Sequence, residues 1–158
     1  MTDTRIDGGR PFDWGKTSAD YAKYRDIYPP AFYKMIANMG LCNTGYNILD
    51  TGTGTAVLPR ALCDHPVSFA ATDVSAEQIE YAKMLCEQNG IDVNLKVGAA
   101  EDILFSENSF DVITACQCYW YFDHDRAAKA FHHQLKPHGK LVFMLMNWLP
   151  NEDEIAQK

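Results

Sequence analysis

Asn47-Ile48-Leu49-Asp50-Thr51-Gly52-Thr53-Gly54-Thr55-Ala56 is the stretch on which the fold turns. Asn47 to Asp50 reads as a short buried strand ending in a carboxylate, Gly52 and Gly54 as a tight turn, and Leu58 to Cys63 as a helix. Pro59 fits the first turn of that helix, where its missing N–H leaves no hydrogen bond unmade. The same alternation continues downstream. Val67 to Thr72 predicts a second strand, closed by Asp73. Ser75 and Gln78 predict a capping box for a helix reaching Asn89-Gly90. Val93 to Val97 and Phe110 to Ala115 predict two further strands. A helix from Asp123 to Lys136 should stop at Pro137 and Gly139, before a fifth strand over Lys140 to Met146. Strands separated by helices give right-handed βαβ units. The expected fold is α/β, a Rossmann-like, doubly wound, mostly parallel sheet.

Upstream, residues 1–16 hold three Gly and one Pro and read as an arm. Thr17 with Asp20 resembles a cap for a short helix through Tyr21, Tyr24 and Arg25. Pro29-Pro30 breaks it and starts another, in which Phe32, Met35, Ile36 and Met39 recur at helical spacing before Gly40. The expected organisation is an N-terminal helical arm over 1–43, a core over 44–146 and a C-terminal segment over 147–158. At 158 residues the chain suits one domain. Its 21 acidic against 14 basic residues, a net charge of -7, argue against nucleic acid or an anionic membrane surface as partner. The longest apolar run, Leu141 to Met146, is far short of a membrane span. The opening residues MTDTRIDGGR carry no apolar signal segment. Five cysteines without framework spacing read as reduced thiols, and the expected location is cytoplasmic.

The glycine turn lies where a doubly wound sheet binds ligands, at the carboxyl end of its first strand. Gly52 and Gly54 let the backbone approach a ligand, with helix N–H groups aimed at it. Asp73 ends the second strand 21 residues after Gly52 and suits the hydroxyls of an adenosine ribose. A dinucleotide fingerprint needs a third glycine at position 57, which is Val57 here. Asp50 would also repel a pyrophosphate but welcome a cation, and S-adenosylmethionine carries a sulfonium and an ammonium group.

These motifs resemble those of class I S-adenosylmethionine-dependent methyltransferases, of the small-molecule type that includes the ubiquinone and menaquinone enzymes. Ile48 to Gly54 is similar to that family's first motif and Ala71 to Ser75 to its second. Gly98 to Phe105 resembles its loop after the third strand. Asn108 to Ile113 and Leu135 to Leu141 resemble its approaches to the fourth and fifth strands. Asp20 to Arg25 resembles its N-terminal element, which folds over the cofactor. The resemblance implies that Asp50 and Gly52, with Gly54 in the same turn, hold the methionine amino end. Asp73 would bind the ribose, Val74 would pack on the adenine, and Ala100 and Glu101 would flank the base edge. Ala115 to Gln117 would lie under the methionine chain, and Tyr21 and Arg25 would meet the cofactor carboxylate. Ala56 replaces a frequent third glycine, read as a mild change. Ala99 stands where relatives often have an acid, leaving Glu101 or a water for the adenine amine.

The family fold closes with two more strands, so this chain is expected to be a fragment, with the fifth strand as sheet edge and a homodimer through that edge. Methyl transfer mainly needs alignment, and the acceptor implied is a small molecule. Gln117 to His124 is the segment best suited to wall it, with His124 as the weak candidate for a base. His132-His133 face different directions, and with Cys116 and Cys118 they predict no metal site. Lys136 and Lys140 read as solvated charges. Two other readings stay open: a nicotinamide-dependent oxidoreductase, and a non-catalytic, cofactor-binding relic of the methyltransferase fold.

Overall fold

The computed structural model describes residues 28–146. The expected leader, the Tyr21–Arg25 helix and the C-terminal segment lie outside the described residues. Within them the elements are α1 (Pro30–Asn38), β1 (Asn47–Thr51), α2 (Val57–Ala61), β2 (Ser68–Asp73), α3 (Ala76–Gln88), β3 (Val93–Val97), β4 (Phe110–Cys116), α4 (His124–Gln134) and β5 (Leu135–Met144). The five strands form one sheet in the order β3-β2-β1-β4-β5, parallel throughout. The order reverses at β1, so β1 and β4 diverge into crossovers on opposite faces, which opens a cleft above their carboxyl ends.

Alternation sorts the core. Ile48, Phe69 and Val112 point to one face, where Ile36, Leu41, Leu58 and Leu62 from α1, α2 and their flanks cover them. Leu49, Ala70 and Ile113 point to the other, under Ala127 and Phe131 of α4. Ala82 and Cys86 of α3 pack with Ala56 beside Val93. A sheet buried on both faces explains why the central strands read as continuous apolar runs. Among the described residues no helix is long and apolar enough to cross a membrane.

Several local expectations are corrected. α2 closes at Ala61 rather than Cys63. Only half of the capping box forms: Ser75 Oγ accepts from Gln78 N at 3.2 Å, while Ser75 N donates to Asp73 Oδ1 at 2.9 Å instead of to Gln78. Met35 and Met39 are 49% and 57% exposed, because α1 rests on the sheet through Phe32 and Ile36 alone of that row. α4 ends at Gln134 and the next strand begins at once, since Leu135 is already extended and pairs with Phe110. The register then shifts, with Lys140 opposite Val112. Gly139 has no space for a side chain there: a Cβ would stand 2.9 Å from Lys136 O and 3.2 Å from Phe110 O. Lys136 is not simply solvated; its Nζ donates to Asp111 Oδ2 at 2.7 Å. β5 ends at Met144, with Leu145 and Met146 beyond it.

Candidate functional site

The cleft holds about 380 Å³ and is walled by the loops that follow β1, β2, β3 and β4. On its floor, Asp50 is 2% exposed, and its two oxygens accept from the hydroxyls of Thr53 at 2.7 Å and Thr114 at 2.6 Å. Burial pushes the Asp50 carboxyl up to about 6, against the pull of those two hydroxyls. Among the described residues no cation pairs with this carboxylate, which leaves it able to receive one from a ligand.

The turn above it runs Gly52-Thr53-Gly54, with φ of +64° at Gly52 and +58° at Gly54. Gly52 also touches Cys118: a Cβ on it would fall 2.6 Å from Cys118 Sγ, whose thiol donates to Thr51 O at 3.2 Å. Burial, with the Asp50 charge behind it, pushes that thiol up, so it stays protonated. Ala56 is not the mild change expected. It caps α2 at φ +59°, in the left-handed region, fully buried.

Asp73 reaches across from β2 and ties the turn down. Its Oδ2 accepts from Gly54 N at 2.8 Å and its Oδ1 from Ser75 N. Burial raises its carboxyl above the ordinary value, opposed by these backbone bonds. Each oxygen keeps a lone pair for a ligand. Val74, 62% exposed, follows it on the cleft wall. Across the cleft, Gly98 donates to Asp73 O at 2.8 Å and leads into Ala99, Ala100 and Glu101. Glu101 Oε1 accepts from Asp123 N at 2.7 Å, so that carboxylate anchors the start of α4 as well as lining the cleft. Asp102 pairs with Arg126 beside it.

Beyond β4, Gln117 lines the cleft at φ +60°, its N donating to Met144 O at 2.9 Å and its Nε2 to Met146 O at 3.0 Å. Trp120 and Tyr121, 48% and 59% exposed, form the outer wall with Phe122, which also packs on Phe131.

Of the residues expected to form the site, Asp50, Gly52, Gly54, Asp73, Val74, Ala100, Glu101 and Gln117 line this one cleft. Ala115 does not: it is fully buried in β4, between Thr51 and Phe143. His124 stands outside the lining, its ring stacked on Tyr119 at 4.3 Å and its Nε2 3.1 Å from Tyr119 O. Tyr21 and Arg25 lie outside the described residues. Gln78, expected only as a cap, and Thr53 and Thr114, the partners of Asp50, join the site without having been expected there. Thr114 had no local signal, since β4 brings it to Asp50 from 64 residues away, whereas Thr53 lies only three residues past Asp50.

The residues fit a cationic nucleoside better than a dinucleotide. Three carboxylates, Asp50, Asp73 and Glu101, face the cleft, and Val57 lines it where a pyrophosphate fold needs glycine. Among the described residues no cluster suited to a metal occurs.

Residues 48–139 match the model of a family described as a methyltransferase domain. An uncharacterized methyltransferase of Schizosaccharomyces pombe is 30% identical over 127 residues, 80% of this chain and 49% of that protein. A ubiquinone biosynthesis O-methyltransferase of Coxiella burnetii is 31% identical over 104 residues, 65% of this chain and 44% of that one. The chain thus spans about half the length of these relatives. Among solved structures, a putative S-adenosyl-L-methionine-dependent methyltransferase from Methanococcus maripaludis superposes with a TM-score of 0.73 at 22% identity, covering 85% of this chain and 64% of that one.

Proposed function

The chain belongs to the methyltransferase domain family, and from that premise we propose that it is of the class I kind, that its cleft binds S-adenosylmethionine and that it serves methyl transfer to a small-molecule acceptor. The observation that carries this reading is the pair Asp50 and Asp73, one buried anion at the floor and one at the wall, joined through the glycine turn. When bound, S-adenosylmethionine supplies a methyl group already activated by the sulfonium. Asp50 would hold the ammonium end, with the Gly52 and Gly54 backbone beside it. Asp73 would take the ribose, and Val74 one face of the adenine. Ala100 and Glu101 would close the base edge. The chain's remaining task is alignment and exclusion of water. Trp120, Tyr121 and Phe122 suit a planar or apolar acceptor at the mouth, and the C. burnetii relative is named for ubiquinone biosynthesis. His124, turned onto Tyr119, is given no part.

Calorimetry with S-adenosylmethionine and S-adenosylhomocysteine tests the reading. Both should bind, and Asp73→Asn should weaken both roughly tenfold or more, the loss of one charge-assisted hydrogen bond. Equal affinity of wild type and variant, or tighter binding of a nicotinamide dinucleotide, refutes it. Binding without transfer to any acceptor would point to the relic.

A further inference from the structure

Gln78 lines the cleft, yet its side chain has no role in the contacts above. It is the third residue of α3, 2% exposed, and its backbone N donates to Ser75 Oγ. In a complete capping box its side-chain oxygen would accept from the Ser75 N–H. Asp73 has taken that donor. Among the described residues, Gln78 Oε1 is left buried and without a hydrogen-bond partner. Buried acceptors are rarely left so, and one beside a ligand cleft points to a donor that arrives with the ligand.

The position of the oxygen says which donor. It lies 3.8 Å from the point where a Cβ on Gly54 would stand, and Gly54 N is the group that Asp73 Oδ2 binds. Two acceptors therefore flank Gly54, one charged and one neutral. Gln78 lines the cleft, and its terminal amide torsion is broad, so Oε1 is free to turn toward a donor there. Two adjacent hydroxyls satisfy both acceptors at once. An ammonium, with three donors of its own, is drawn instead to the more deeply buried Asp50 carboxylate, and an ionised phosphate has no proton to offer and meets Asp73.

We propose that Gln78 is a specificity-determining residue of the cleft: its Oε1 accepts from one hydroxyl of a ribose diol whose other hydroxyl Asp73 holds, so the cleft selects a ribose with both hydroxyls free. This rests on the cofactor reading above. An analogue lacking the matching hydroxyl leaves a buried acceptor unpaired, which is how polar sites reject such analogues.

Calorimetry with S-adenosylhomocysteine and its 2′-deoxy and 3′-deoxy analogues tests it, on wild type and Gln78→Met. Wild type should lose roughly tenfold or more for each missing hydroxyl. Gln78→Met should bind the parent roughly tenfold more weakly and cease to distinguish one deoxy analogue from it, while Asp73 still detects the other. Wild-type affinity in Gln78→Met, or an undiminished penalty for both analogues, overturns the proposal. If Gln78→Met does not fold, a crystal structure of the wild-type complex decides: Oε1 within about 3.2 Å of a ribose hydroxyl supports it, and a gap beyond about 4 Å refutes it. Wild type that binds no S-adenosylhomocysteine brings down the functional reading, and this with it; wild type that binds while the variant is indifferent brings down this alone.

Discussion

Gly52 is glycine for two separate reasons, its φ of +64° and the 2.6 Å approach of Cys118 Sγ to the place of a Cβ. Gly52→Ala should therefore lose at least about 2 kcal/mol of stability, from left-handed strain plus overpacking. Thermal melting reads it, and a change under half that size would show that the turn yields. Asp50 makes a prediction with a sign. Its carboxyl sits at about 6 in the fold against an ordinary 3.8. The folded state thus binds the proton more tightly than the unfolded chain. That contribution to stability is full below the unfolded value and is lost as pH rises through about 6. Asp50→Asn should stabilise the protein by up to about 3 kcal/mol at about pH 8, and leave it near wild type at about pH 4. Denaturant melts at the two pH values check this. Affinity for a cationic ligand should fall in the opposite sense, weakening as pH drops through about 6. The acids and glycines of the turn were legible because turn chemistry is local. The bond from Asp123 N to Glu101, and the orphaned Gln78 oxygen, were not. Each depends on a partner that the fold brings in or takes away.

Elements were easier to read than their ends. Alternating apolar runs and helical periods gave all five strands and the α/β order, because a sheet covered on both faces imposes that pattern. The start of β5 was hidden by Pro137 and Gly139, which mimic a turn before a strand. In the fold they form an irregularity inside it, between the Phe110–Leu135 and Val112–Lys140 pairs. His138 carries the left-handed residue of that irregularity, at φ +67°, and is exposed. His138→Gly should accordingly stabilise by up to about 1 kcal/mol, strain relieved less unfolded-state entropy. A loss on chemical denaturation would mean that the His138 ring makes a contact of value. At α3 the cap is Ser75 alone, since Gln78 does not reciprocate. Ser75→Ala should cost about 1 kcal/mol. The row Phe32, Met35, Ile36 and Met39 misled because helical spacing identifies a stripe but not how much of it the sheet reaches.

For the whole molecule, the flank of β5 away from β4 governs assembly. Among the described residues β5 pairs with β4 only, and Leu141, Phe143, Leu145 and Met146 are 37% to 58% exposed. Apolar edges of this kind recruit another strand. The 158-residue chain should self-associate, and Leu141→Lys with Leu145→Lys should shift it toward monomer in light scattering. A monomer that ignores these substitutions would show that the edge is already covered. The cleft, by contrast, presents two large aromatics to water, Trp120 and Tyr121, of which Trp120, 48% exposed, carries an indole. Trp14 and Trp148 are the other two indoles of the chain. An indole in water emits at longer wavelength than one shielded from it. With Trp14 and Trp148 replaced by Phe, a shift of emission to the blue becomes an optical count of filled clefts, with no dye attached.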